Sequence, residues 1–338
     1  DGIRDHCVTG VQTCALPIYD GDDPRDDRVL CHRKRIYRRI SNLRGSKNSL
    51  WGTNMNIDFN RTKKHWRRFQ RNRASVFGLS LVVTLLVVST LAPVITPYPS
   101  HSDAFVDVDR AYEAPSTRHL LGTDAVGRDI FSRLIFAYRT SLLLAAVVLV
   151  LAVPIGVVAG LAAGYQRGLT ETLILRVTDI FLAIPSLVLA MAILGLFEPS
   201  LPMAMVAVAF GWWPWYTRLV YNLTRSIATE GYISAARVSG ARPTRIMLSE
   251  ILPNCSGPIL TKMTLDAGFV ILLGASLSFL GLGAQPPTPD LGTMVAQGAP
   301  LLPDVWWPTV SSSLAIVIAV LGFNLLGEGI RDLFGVDV

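Results

Sequence analysis

The chain has 338 residues, of which 51% are hydrophobic and only 17% are charged. A soluble domain of ordinary composition carries about 25% charged residues, so this composition argues against a soluble protein. The net charge is +6 at pH 7 and the mean hydropathy is +0.41. An apolar chain with a basic balance is typical of a membrane protein whose basic segments lie outside the bilayer.

Residues 1–54 differ from the remainder of the chain, because they lack helical periodicity and mix Asp-rich with Arg-rich patches. The piece from Cys7 to Ile18 resembles translated sequencing-adapter sequence. We interpret residues 1–54 as a non-native or disordered leader and expect the natural chain to begin at Met55. Residues 55–75 then form a basic lead, with seven Lys or Arg side chains between Arg61 and Arg73.

Six apolar segments follow, each close to the roughly 20 residues that a helix needs to cross a bilayer. They occupy residues 76–98, 141–165, 172–197, 201–221, 256–283 and 305–327. Backbone polar groups in lipid must pair within the segment, so these segments are predicted to be helices. The predicted fold class is therefore an all-α integral membrane protein with about six transmembrane helices. Buried helices of a large soluble protein are the disfavoured alternative.

The distribution of basic residues predicts the orientation of these helices. Residues 1–75 hold 17 of the 31 Lys and Arg residues, and the loop after the fifth span, 284–304, holds none. The loop after the fourth span holds Arg225, Arg237, Arg242 and Arg245. By the positive-inside rule, the N-terminus and, after six spans, the C-terminus are cytoplasmic. A nucleic-acid partner is not expected from a basic run that precedes six spans.

The predicted outer loop, residues 99–140, combines a polar motif with an apolar helical pattern. Thr123 and Asp124 are good N-cap residues, because their side-chain oxygens can accept from the free N–H groups of a first helical turn. An amphipathic helix that lies in the interface or against the helix bundle is predicted to follow. Its apolar face consists of Ile130, Phe131, Leu134, Ile135 and Tyr138. Both a capped packing helix and a substrate contact fit this pattern.

The predicted cytoplasmic loop, residues 222–255, carries small residues around a turn. Gly240 suits the left-handed position that follows a helix, and Pro243 suits the first turn of the next helix. Arg242 precedes this proline and is therefore steered out of the helical region. The pattern predicts a helix, a sharp turn and a second helix.

Two motifs resemble a known family. The Ala235-Ala236 pair, Gly240 and Leu252-Pro253 resemble the cytoplasmic coupling loop of ATP-binding-cassette (ABC) importer permeases. The outer Gly-Thr-Asp-x-x-Gly-Arg-Asp motif followed by Ser-Arg-Leu is similar to the peptide/nickel branch, specifically to its C-type (second) permease subunits in dipeptide and oligopeptide systems. The resemblance extends from about Arg61 to the end of the chain.

This resemblance implies a type I ABC importer permease fold, with a first transmembrane helix at 76–98, an outer loop at 99–140 and a five-helix core at 141–330. It implies that residues 232–253 contact an ATPase subunit, through Ser234, Ala235, Ala236, Gly240, Ala241, Pro243, Leu252 and Pro253. The outer family motif comprises Gly122, Thr123, Asp124, Gly127, Arg128 and Asp129. The sequence departs from the family at Ser234, where an acid is usual.

The implied protein is a non-enzymatic, multi-pass subunit of the bacterial cytoplasmic (inner) membrane, embedded in the lipid bilayer. Its implied partners are a second permease subunit, two cassette ATPase subunits and an extracytoplasmic solute-binding protein. The implied solute is a di- or oligopeptide, with nickel or a nickel chelate as the alternative.

Charged side chains inside predicted spans are candidates for functional residues. Arg176 and Asp179 are three residues apart, and Lys262 and Asp266 are four apart, so each pair can meet on one helical face. Structural pairing and a role in the transport path are both open. Pro154, Pro185 and Pro214 can each kink a span.

An ion-coupled secondary transporter is the alternative function, although we find neither an internal repeat nor a clear midplane coupling acid. The sequence has no His-Glu-x-x-His, Gly-x-Ser-x-Gly or Gly-x-x-x-x-Gly-Lys-Ser/Thr motif, so hydrolase and ATP-binding functions are not expected. The four cysteines suggest neither a disulfide framework nor a metal site. No cofactor and no metal are predicted.

Overall fold

Every regular element in the part of the chain that the computed structural model describes, Phe69 and residues 72–334, is helical. The α-helices are α1 (Arg73–Thr90), α2 (Ala92–Ile95), α3 (Ile130–Gln166), α4 (Leu169–Leu182), α5 (Ser186–Leu194), α6 (Leu201–Ile227), α7 (Gly231–Val238), α8 (Pro243–Arg245), α9 (Leu252–Phe279), α10 (Leu291–Gly298) and α11 (Trp307–Phe334). A π-helical segment, Ile246–Ile251, joins α8 to α9. The predicted leader and most of the basic lead lie outside the described residues.

Four helical stretches within the described residues are long and apolar enough to cross a membrane, and a fifth is added if α4 and α5 form one broken span. The four are α1, α3, α11 and the continuous stretch Pro243–Phe279. Helix α6, which contains the predicted fourth span, has 27 residues. It carries Trp212, Trp213, Trp215 and Arg218, which make it less apolar than the other spans. The count of six spans and the location of the termini therefore stay predictions.

Helix α3 contains both the predicted amphipathic helix and the predicted second span, 141–165. It runs unbroken for 37 residues. Its length is about 55 Å at 1.5 Å per residue, which exceeds the roughly 30 Å of a bilayer core. No Gly or Pro lies between Ile130 and Ser141, so nothing in the local chain ends the helix there.

The predicted third span, 172–197, is broken. Helices α4 and α5 meet at an angle of 82°, and the break contains Ile184 and Pro185. Proline disfavours helical backbone in the residue before it and cannot donate an N–H to the ladder. Pro154 and Pro214, by contrast, lie inside continuous helices.

Helices α3 and α6 pack closely along a row of three glycines in α3. The sequence pattern alone did not identify this packing surface. A Cβ added at Gly156 would lie 2.4 Å from the Cβ of Tyr216, and one at Gly160 would lie 2.7 Å from the carbonyl oxygen of Thr217. A Cβ at Gly164 would lie 2.6 Å from the Cβ of Thr224. This small-xxx-small spacing lets two helices approach backbone to backbone, which is a common packing device in membranes.

The remaining helices build on this pair. Helix α9 packs against α3, α6, α10 and α11, and α1 packs mainly against α11. A large apolar cluster runs through these helices, and a smaller one at the outer end joins Ile130 and Leu134 of α3 to Leu291 and Met294 of α10. The helices thus place two loops at opposite ends of the bundle, residues 96–129 before α3 and residues 228–251 before α9.

Candidate functional site

The loop between α6 and α9 has the backbone geometry that its glycine and proline favour. Helix α7 ends at Val238, Ser239 is its C-cap, and Gly240 follows with φ +78°. The N–H of Gly240 bonds to the carbonyl of Arg237 at 3.0 Å, and the N–H of Ala241 bonds to that of Ala236 at 3.1 Å. These two bonds form a Schellman motif. Pro243 then begins α8 after an extended Arg242.

Three buried isoleucines hold this loop against the bundle. Ile233 of α7 and Ile246 and Ile251 of the π-helical segment are fully buried and belong to the large apolar cluster. Ala236 and Ala241 pack against the same cluster. The loop is therefore part of the packed structure at its base.

The opposite side of the loop is open. Val238 is 91% exposed, and a Cβ added at Gly240 would meet nothing within 4 Å. Ser234 and Ala235 are also exposed. We call these four residues the tip; it is a small, partly apolar surface without a partner among the described residues.

Two further predicted contact residues lie at the start of α9, away from the turn. Leu252 is half-buried and packs against the large cluster, whereas Pro253 is exposed. Asn254 donates to the carbonyl oxygen of Glu250 at 2.6 Å and to the hydroxyl of Tyr232 at 3.3 Å. The bond to Tyr232 connects the start of α9 to the start of α7.

The outer motif is buried and bonded to its own loop. Oδ1 of Asp124 accepts from the N–H groups of Val126 and Arg128 at 3.0 and 2.9 Å, and its Oδ2 accepts from Nε of Arg128 at 2.8 Å. Thr123 donates to the carbonyl of Arg110 at 2.6 Å and accepts from the N–H of Glu113 at 2.7 Å. These side chains stabilise the loop conformation and are not free to bind a solute.

Asp129, and not Thr123 or Asp124, is the N-cap of the helix that follows. Its Oδ2 accepts from the N–H of Ser132 at 2.8 Å, and its Oδ1 lies 2.9 Å from Nδ1 of His119. The N–H of Asp129 itself donates to Nδ1 of His101 at 2.8 Å. The sequence prediction chose the wrong cap because all three residues are good N-cap types; an antiparallel bridge between Thr123 and Asp129 extends the loop before the helix begins.

Two glycines of the outer motif adopt the left-handed conformation in crowded surroundings. Gly122 has φ +76° and Gly127 has φ +75°. A Cβ at Gly127 would lie 2.0 Å from the carbonyl oxygen of Asp107, and one at Gly122 would lie 2.6 Å from that of Glu113. Both the backbone angle and the close approach therefore require glycine.

Of the two predicted intramembrane pairs, the structure brings together one. Lys262 Nζ lies 3.1 Å from Oδ1 of Asp266, and Oδ2 of Asp266 accepts from Nε1 of Trp212 at 3.0 Å. Asp179 instead forms an ion pair with Arg218 of α6. Arg176 is exposed and forms no ion pair with the described residues.

A second contact between α4 and α6 was also missed. Glu171 accepts from the hydroxyl of Tyr221 at 2.6 Å and lies 3.3 Å from a guanidinium nitrogen of Arg225. Spacing along one helix detects only partners on that helix. Pairs between helices become visible only when the packing is known.

Comparison with known proteins agrees with this architecture. Residues 152–337 match the family described as binding-protein-dependent transport system inner membrane component. Residues 60–115 match the N-terminal TM domain of oligopeptide transport permease C.

Three relatives resemble most of the chain. It is 42% identical over 273 residues to the dipeptide transport system permease protein DppC of Escherichia coli (strain K12), covering 80% of this chain and 91% of that protein. The dipeptide permease DppC of Haemophilus influenzae is 37% identical, with 80% and 92% covered. The glutathione transport system permease protein GsiD of Pectobacterium atrosepticum is 37% identical, with 80% and 89% covered. A solved MetNI methionine ABC transporter chain matches at 20% identity with a TM-score of 0.47, covering 60% of this chain and 94% of that one.

The chain therefore belongs to the family of inner-membrane components of binding-protein-dependent transport systems, and it is a permease subunit of an ABC importer. Within that class it belongs to the C-type permease subunits of the dipeptide and oligopeptide branch. The expected all-helical fold and inner-membrane location are confirmed.

Proposed function

We propose that this chain forms half of the translocation pathway of an importer for di- or oligopeptides, and that the tip couples it to a separate ATPase subunit. The single observation that carries the coupling role is the contrast within one loop. Its base is fixed by fully buried isoleucines, whereas Val238 at its end is 91% exposed. An exposed apolar side chain among small residues, on a loop whose base is fixed, leaves a surface that a partner can cover.

The packing of the loop gives a physical route for coupling. Ile233, Ile246 and Ile251 lie in the same apolar cluster as residues of α3, α6 and α9. The guanidinium of Arg237 also lies 5.0 Å from the ring centroid of Tyr165, near the end of α3. A displacement of α7 by a docked ATPase must therefore move several spans, because packed cores transmit small shifts between discrete arrangements.

The proposed assembly contains a second, different permease subunit, two cassette ATPase subunits and an extracytoplasmic solute-binding protein. ATP hydrolysis belongs to the ATPase subunits in this proposal, since the present sequence contains no Gly-x-x-x-x-Gly-Lys-Ser/Thr phosphate loop.

Peptides are proposed as the solute because the relatives reported above are named for dipeptides and for glutathione, which is itself a peptide. Nickel or a nickel chelate remains the alternative within the same branch. Competition for uptake of a labelled dipeptide by unlabelled peptides and by nickel would distinguish the two. Inhibition by nickel alone would contradict the peptide assignment.

Substitution at the tip tests the coupling role. Gly240→Asp and Val238→Asp should each reduce peptide uptake about tenfold or more, because a carboxylate would be desolvated in the interface with the ATPase. Both positions have room for a side chain, so membrane insertion should be unchanged. The amount of folded permease should fall little, because the positive φ of Gly240 costs a side chain only about 1 kcal/mol. The measurement is uptake by the complete transporter in proteoliposomes, with co-purification of the ATPase as the second readout.

Leu169→Asp is the matched control. Leu169 is 74% exposed at the start of α4, in the other short cytoplasmic turn, and an Asp in the first helical turn is compatible with the helix dipole. We expect its uptake to remain within about twofold of wild type, as for other exposed substitutions. Near-normal uptake and ATPase binding in both tip variants would contradict the coupling role.

A further inference from the structure

We infer that a polar face on the inner half of α4, α6 and α9 binds the charged ends of the peptide as it crosses the membrane. This inference rests on the proposed transport of peptides. The polar face consists of Asp179 of α4, Trp215, Arg218 and Asn222 of α6, and Lys262 of α9.

The residues of this face form one continuous surface across three helices. Trp215, Arg218 and Asn222 recur at a spacing of three to four, which places them on one side of α6. Arg218 pairs with Asp179 of α4, and Nζ of Lys262 lies 5.8 Å from the ring centroid of Trp215. Two contacts thus join the polar residues of α4 and α9 to the same side of α6.

The face is open although all of its residues except Asn222 lie within predicted spans. The side chains of Asp179 and Arg218 are 48% and 35% exposed, and Trp215 is 48% exposed. Charged groups are costly in lipid and almost always face a bundle interior or a water-filled cavity. The exposed side of α3 differs, since Val150 is 69% exposed and no charged residue lies between residues 141 and 164. The polar face therefore lines a path, whereas the exposed side of α3 suits lipid.

The broken span covers the outer end of this face. A Cβ added at Gly211, one turn before Trp215, would lie 3.6 Å from a methyl carbon of Leu189 and 3.7 Å from the Cβ of Ser186. Helix α5 therefore lies on α6 at Gly211. The face below it is exposed from Trp215 toward the cytoplasmic end.

The chemistry of the face suits a molecule that carries both charges. Lys262 gives one hydrogen bond to Asp266, which is itself buried, and keeps further donors for a carboxylate. The guanidinium of Arg218 also has more donors than its bond to Asp179 uses. The carboxylate of Asp179 can accept from an ammonium group. Free peptides present one carboxylate and one ammonium group, so the face matches both ends.

Reversal of the Arg218–Asp179 pair distinguishes a role in peptide binding from a role in holding α4 against α6. The double variant Arg218→Asp, Asp179→Arg keeps an ion pair between α4 and α6 but exchanges the positions of its charges. We expect peptide transport by the complete transporter to fall about tenfold, the effect of losing one charge-assisted hydrogen bond. The control is the same reversal at the cytoplasmic end of these helices, Arg225→Glu with Glu171→Arg, which should stay within about twofold. Wild-type transport by the Arg218/Asp179 reversal would overturn the inference.

A chemical probe tests whether water reaches the face. This test does not require the complex to transport anything. In a variant whose four cysteines are replaced by serine, Trp215→Cys should react with a charged, membrane-impermeant thiol reagent in inverted membrane vesicles that contain the full complex, because Trp215 is 48% exposed and lies within a predicted span. Val150→Cys should not react. Absence of labelling at position 215 would overturn the inference, because the face would then be covered by lipid or by the second permease subunit.

The two experiments also distinguish this inference from the proposed function. A wild-type complex that transports no peptide contradicts the proposed function, whatever the labelling shows. A wild-type complex that transports peptides, together with a fully active reversed pair, contradicts only the binding role of the polar face.

Discussion

The outer motif and the tip of the predicted cytoplasmic loop both contain a glycine in the left-handed conformation, but for different physical reasons. Each contains a glycine with a positive φ, at +75° for Gly127 and +78° for Gly240. Around Gly127 a Cβ would overlap the backbone of Asp107, whereas around Gly240 it would meet nothing within 4 Å. The first glycine is required by packing inside the chain, and the second leaves a surface open to another molecule.

This difference shows that two motifs of one family can be required for different physical reasons. The polar side chains of the outer motif are hydrogen-bonded within their own loop and at the start of α3, so the chain itself accounts for them. The backbone of Gly240 ends α7, but the side chains of the tip are exposed. A partner is the physical reason that we propose for them.

Alanine at each of the two glycines gives the largest expected contrast. Gly127→Ala should destabilise the permease by about 3 kcal/mol, because the backbone angle and the overlap with Asp107 both oppose it. Gly240→Ala should cost only about 1 kcal/mol, from the backbone angle alone. Thermal unfolding of both variants in the same detergent measures the difference. Equal shifts of Tm would mean that the two sites are not distinguished by packing.

Removal of the cap on α3 should have an effect similar in size to that of Gly127→Ala. Asp129→Ala loses the bond to the N–H of Ser132 and leaves His119 buried without its partner. We expect a loss of about 2–4 kcal/mol from these two terms. Asp129→Asn keeps an acceptor at the cap and should retain most of the stability. If Asn and Ala were equally destabilising, the carboxylate charge rather than the cap would be the important feature.

The smallest expected effect is a pH dependence of the outer loop. Burial lowers the pKa of His101 from its usual 6.5, while the nearby Asp129 opposes this shift. Nδ1 of His101 must also stay unprotonated to accept from the N–H of Asp129. The unfolded chain then binds a proton more readily than the folded one, so this contribution to stability is present above about pH 6.5 and is lost as the pH falls below it.

His101→Gln is the comparison for this effect, because a glutamine amide oxygen can still accept from that N–H and does not titrate. Tm should fall less steeply between pH 7 and pH 5 in the variant than in the wild type. Identical slopes would exclude His101 as the titrating group.

Sequence patterns gave correct predictions for the features that depend only on residues close together in the chain. The apolar composition predicted the membrane class, and Gly240 with Pro243 predicted the turn geometry, because backbone preferences act within a few residues. The cap of α3 was misassigned because Thr123, Asp124 and Asp129 are equally good candidates by type. Their roles were separated by bonds to His101, His119 and Arg110, which lie elsewhere in the chain.

The sequence by itself thus determined that this protein is a helical membrane permease and that a turn lies at Gly240 and Pro243, since hydropathy and turn chemistry are short-range properties. Only the tertiary structure decided that Asp179 pairs with Arg218 and not with Arg176, and that three glycines of α3 pack against α6. Such contacts depend on which helices become neighbours, and no spacing along one helix contains that information.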